Sequence, residues 1–110
     1  MNESSNMPDM ETGTAVFHLE VGDGRITVGG ELDASTSAIV TAAIQATGGT
    51  EVVVDLRSVG FVDSSGLRTL ASEHRRLAQA DGVLRVIANA TVSRTIDLAG
   101  LTDVLSVTEA

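Results

Sequence analysis

The run Val52-Val53-Val54-Asp55-Leu56 constrains this chain more than any other stretch, because a pattern of a different period follows close behind it. Glu51 to Leu56 is short, nearly continuous in apolar residues and rich in valine, as expected of a central strand covered on both faces. From Ser64 onward, Leu67, Leu70, Ala71, His74, Leu77 and Ala78 fall on one helical stripe, and Asp81-Gly82 ends it. "VLRVIA" (Val83–Ala88) then resumes as a strand. Strands that alternate with helices in this way favour a sheet with helices packed on it.

The flanking segments complete the sheet. "TAVFHLEV" (Thr14–Val21) and "RITVGGEL" (Arg25–Leu32) are β-rich runs joined by Gly22-Asp23-Gly24, where glycine supplies a positive φ without steric cost, so they read as a hairpin. Asp33 and Ser35 are candidate caps for a helix on which Ile39, Val40, Ala43 and Ile44 recur until Gly48-Gly49. Thr91 can cap a shorter helix running to Leu98 and closed by Gly100, and "VLSVT" (Val104–Thr108) supplies a last strand. The expectation is an α/β domain spanning 14–110, a mixed sheet of five strands with helices packed on it. Residues 1–13 are polar, include the one proline (Pro8) and show no apolar period, so they read as a flexible tail.

Composition narrows the chemistry. A chain of 110 residues, 43% hydrophobic, suffices for one domain. No apolar run reaches membrane-spanning length and no basic segment leads into an apolar one, so the chain reads as soluble and cytoplasmic. A formal charge of −8 repels nucleic acid and anionic lipid, which leaves another protein as the expected partner. There is no cysteine, and the two histidines, His18 and His74, are too few for a metal cluster, so neither a cofactor nor a metal is expected. All seven cations are arginine; the absence of lysine removes Walker-type phosphate binding and Schiff-base catalysis.

The chemistry-bearing stretch is Val62-Asp63-Ser64-Ser65-Gly66, set between strand and helix, where unpartnered backbone N–H groups and the helix dipole favour an anion. Asp63 or Ser64 can serve as the cap, and a capping role does not prevent a serine there from accepting a phosphoryl group. A hydrolase nucleophile elbow requires glycine two residues before the serine, where Val62 stands. His74 lies on the apolar stripe, about 15 Å along the helix axis from Ser64, too far to be its base, and reads as a half-buried packing residue. His18 reads the same way in the opening strand. Asp55 near the end of "VVVDL" superficially suits a phosphoacceptor aspartate, but that site needs a lysine. Asp33, Asp55 and Asp63 can gather at the strand ends without any spacing that favours acid-base catalysis. No enzymatic activity is expected.

Gly30-Glu31-Leu32-Asp33, "VVVDLRSVGFVDSSGLRTL" and "TIDLAGLTDVLSV", in that order, resemble STAS domains, specifically bacterial anti-sigma factor antagonists. The resemblance implies a sheet of four to five strands with helices mainly on one face. It also implies a function: binding an anti-sigma factor serine kinase to release a sigma factor, with the kinase phosphorylating its partner at the serine after the motif aspartate, here Ser64, and a phosphoserine phosphatase resetting it. The partner surface is expected to involve Asp33, Asp63, Ser64, Ser65, Gly66 and Leu67, together with the exposed side of the helix carrying Arg68 and Arg75, since arginine is enriched at interfaces and this acidic chain has few to spare. The competing expectation is an unphosphorylated STAS subunit of a signalling scaffold or transport complex, whose serine is only a cap.

Overall fold

The computed structural model describes residues 16–110, so the expected tail over 1–13 lies outside the described residues. The elements run β1 (His18–Gly22), β2 (Arg25–Leu32), α1 (Ser37–Ala46), β3 (Glu51–Val62), α2 (Ser64–Ala78), β4 (Val83–Ala88), α3 (Ala90–Leu98) and β5 (Ser106–Glu109). They form a five-stranded mixed sheet in the order β1-β2-β3-β4-β5. β1 and β2 are the antiparallel hairpin, closed between Gly22 and Arg25 with Gly24 at φ +64°, and every later pairing is parallel. Because the sheet grows in one direction, crossovers of a single hand leave the helices on one face.

That face is the core. Ile26 and Val28 of β2, Val52, Val54 and Leu56 of β3, and Leu84, Val86 and Ala88 of β4 are fully buried at alternate positions. They form one cluster with Val40 and Ile44 of α1, Leu70 and Leu77 of α2, and Val92 and Ile96 of α3. Each valine, leucine or isoleucine among them contributes about 1.5–3 kcal/mol by leaving water.

β3 is central, as its valines indicate, but helices do not cover both its faces. On the helix-free side Val53 is half-buried and Arg57 exposed, while Asp55 is buried at 4% exposure. Arg25 Nη2 and Arg57 Nη2 reach Asp55 Oδ2 at 2.7 and 2.8 Å, and the Arg57 amide donates to Oδ1 at 3.0 Å. The hydrogen bonds from Arg57 are the chief reason the Asp55 carboxyl is held down at about 2. A carboxylate thus completes an apparently apolar run because two guanidinium groups cover it.

β3 also runs on to Val62, well past the expected end at Leu56. Its register against β2 shifts twice, between Thr27 and Gly29 and between Gly30 and Glu31, and each shift gives β3 one extra residue. The inward side chains are therefore Leu56, Val59 and Val62, three apart, a spacing that does not read as a strand. Gly30 adopts φ +96° at the second shift, where a Cβ would strike the Phe17 backbone.

The helix boundaries differ at the caps. Neither Asp33 nor Ser35 caps α1 by side chain: the Asp33 carboxylate folds onto Ser35 and Thr36, and the helix starts after Thr36. α3 is capped by Asn89, whose Oδ1 accepts from Val92 N at 2.8 Å, in place of Thr91. On α2 the buried stripe is Gly66, Leu70, Glu73 and Leu77. His74 is half-buried as expected, whereas Ala78 is exposed and His18 is exposed with its ring over Gly29. Among the described residues no helix is long and apolar enough to cross a membrane.

Candidate functional site

The site lies where β2 and β3 end and α1 and α2 begin. Leu32 pairs with Val62, so the next residue of each strand, Asp33 and Asp63, leaves the sheet at adjacent points. The Asp63 amide donates to the Leu32 carbonyl at 3.1 Å, which ties the two strand ends together. Asp63 has extended backbone angles, and its Oδ1 accepts from Gly66 N at 3.0 Å. The cap is therefore Asp63, and Ser64 is the first residue of α2.

Ser64 is exposed. The first turn of α2 holds no acidic residue, while Arg75 and Arg76 occupy the last turn. An anion on Ser64 would meet the positive end of the helix dipole, worth about 0.3–1 kcal/mol at an exposed site. Two aspartates stand at the adjoining strand ends. Asp63 precedes Ser64 directly. Asp33 accepts from Ser35 Oγ at 2.7 Å and Ser35 N at 3.0 Å, and these hydrogen bonds, the hydroxyl's first, hold its carboxyl below the usual aspartate range.

The remaining expected residues divide between surface and interior. Arg68 and Arg75 are exposed, and their spacing from Ser64 puts all three on one side of α2. Ser65 is half-buried, and Leu67 packs against the core from a half-buried position. Gly66 is buried: a Cβ there would stand 2.6 Å from the Leu32 carbonyl oxygen, so the residue lets the helix start lie against β2 and offers little surface itself. Asp55 sits under its two arginines on the helix-free face, apart from this constellation.

Sequence reasoning missed Glu73, which is 5% exposed between α1 and α2. It accepts from Gln45 Nε2 at 3.2 Å and Arg76 Nε at 2.9 Å. A glutamate amid arginines reads as a solvated helix face, and only the approach of Gln45 from another helix reveals it.

Comparison with known proteins agrees with this geometry. The family described as Mlab, STAS domain matches residues 16–107. The anti-sigma-F factor antagonist RsfB of Mycobacterium tuberculosis is 34% identical over 97 residues, covering 86% of this chain and 78% of RsfB. Among solved structures, an anti-sigma factor antagonist from Mycobacterium paratuberculosis is 29% identical, with a TM-score of 0.70 over 94% of this chain and 89% of that one. The antagonist SpoIIAA shares the fold at 23% identity, both unphosphorylated (TM-score 0.68, 86% of this chain and 88% of that one) and as the phosphorylated Bacillus protein (0.58, 86% and 91%). The chain belongs to the STAS domain family, among its anti-sigma factor antagonists, which are regulatory proteins rather than enzymes.

Proposed function

We propose that this protein binds an anti-sigma factor with serine kinase activity, so releasing a sigma factor, and that phosphorylation of Ser64 switches the binding off. The observation that carries the reading is the exposed Ser64 at the first position of α2, with the capping duty already met by Asp63. Support comes from the name of RsfB and from the existence of SpoIIAA in two phosphorylation states. On this reading the protein works in the bacterial cytoplasm, with a phosphoserine phosphatase to reset it. Asp33, Asp63, Ser64, Ser65, Leu67, Arg68 and Arg75 surround the contact, and Gly66 sets the backbone beneath it.

Charge explains the switch. A phosphoserine carries about −1.5 to −2 at pH 7. Like unit charges 4 Å apart repel by about 4 kcal/mol at an effective dielectric of 20. In the free protein, water and the helix dipole offset most of this. In a complex the phosphate must shed water beside Asp63 and against a kinase surface already holding nucleotide phosphates. A net penalty of about 3 kcal/mol weakens binding roughly 10²-fold without refolding.

The test is incubation with ATP and candidate anti-sigma kinases, followed by intact-mass measurement and binding assays. One phosphate is expected on the wild type and none on Ser64→Ala, which keeps its affinity, while the phosphorylated wild type and Ser64→Glu bind more weakly. Retained tight binding by fully phosphorylated protein would overturn the switch. No modification by any anti-sigma kinase would favour a fixed assembly role.

A further inference from the structure

We propose that Asn89 is a positioning residue for Ser64: its side-chain amide holds the free edge of the strand segment that presents the serine. The importance of Ser64 rests on the reading above, but the contact itself does not. β3 pairs with β4 only from Glu51 to Leu56, the last pair being Leu56 with Ala88, whereas β3 continues to Val62. Beyond Leu56 it is paired with β2 on one side, and there the ladder carries the two register shifts. A bulged segment with a free edge has few backbone bonds to determine its conformation.

Asn89 stands where β4 leaves the sheet and α3 begins, directly after Ala88. Its Nδ2 donates to the carbonyl of Arg57 at 3.0 Å and of Val59 at 2.8 Å, and its Oδ1 accepts from Val92 N at 2.8 Å. One side chain replaces the missing strand partner on the overhang and caps the next helix. Holding the Val59 carbonyl keeps Val59 turned into the core, where it is 1% exposed, and thereby sets the course of the chain to Val62 and Ser64. Serine, threonine or aspartate would cap α3 about as well, but none offers the two N–H donors that these carbonyls use.

Asn89→Ser and Asn89→Asp retain a cap acceptor and remove the paired donors, so they separate the two duties. In the full chain, amide hydrogen exchange from Ser58 to Ser65 is expected to accelerate about tenfold in both variants, with α3 and β4 close to wild type. Unchanged exchange over Ser58–Ser65, or acceleration spread evenly over the whole chain, would overturn the assignment. With a kinase that modifies the wild type, KM for the variants should rise about twofold at unchanged kcat, because the overhang without its two Asn89 bonds presents Ser64 in about half of the folded population. A loosened segment with unaltered KM would limit Asn89 to a structural role and also overturn it. Failure of any kinase to modify the wild type would instead count against the Ser64 reading, while exchange still decides whether Asn89 holds the overhang.

Discussion

Gly66 rests against Leu32 so closely that a Cβ on the glycine would stand 2.6 Å from the leucine carbonyl oxygen and 2.7 Å from its Cγ. The same carbonyl accepts the Asp63 amide, so the start of α2 and the end of β2 form one rigid corner. Gly66→Ala must push them apart, with an expected loss of about 1–3 kcal/mol. Urea unfolding measures it. A midpoint equal to that of the wild type would mean that the helix start shifts freely and that the corner does not fix Ser64.

Asp63 holds two roles that substitution can separate. Asp63→Ala removes the cap and is expected to cost about 1 kcal/mol. Asp63→Asn keeps an oxygen for Gly66 N and should stay within about 0.5 kcal/mol of the wild type, since asparagine caps as well as aspartate. Without the neighbouring charge, phosphorylation of Ser64 should also weaken partner binding less in Asp63→Asn than in the wild type. Thermal melts and titration calorimetry with the phosphorylated protein check both halves.

Asp55 ties acid stability to the helix-free face. Its carboxyl is lowered from 3.8 to about 2 by Arg57 and Arg25, so the folded state binds its proton less readily than the unfolded chain does. The stabilisation is therefore complete above about pH 4 and disappears as pH falls toward 2; a shift of this size corresponds to about 2 kcal/mol. Asp55→Asn should be less stable than the wild type at pH 7 by up to that amount, and the gap should close between pH 4 and pH 2. A gap independent of pH would point to packing rather than charge.

Glu73 links two helices from a buried position through Gln45 and Arg76. Glu73→Ala leaves the Gln45 amide without this acceptor and opens a void, with an expected loss of about 1–3 kcal/mol. Glu73→Gln retains an acceptor and much of the shape and should cost less. A double-mutant cycle with Gln45→Ala is expected to show coupling of about 0.5–1.5 kcal/mol, the usual net worth of one such bond. Strict additivity would show that Gln45 contributes nothing to the pair.

Local pattern alone determined much of this protein. Valine-rich runs, glycine stops and the apolar stripe of α2 specify every strand and helix in order, because period and punctuation act over a few residues. The serine at a helix start beside an aspartate was visible for the same reason. Tertiary structure decided the rest. The length of β3 depends on bulges against β2 that move its inward residues to every third position. Asp55 and Glu73 become buried because arginines and Gln45 arrive from elsewhere in the chain or fold back over them. α1 starts after Thr36 without a side-chain cap, and α3 is capped by Asn89, because which side chain reaches an unpartnered amide depends on where the preceding strand ends in space. A polar group's partner is a matter of three-dimensional proximity, and no periodicity along a chain encodes it.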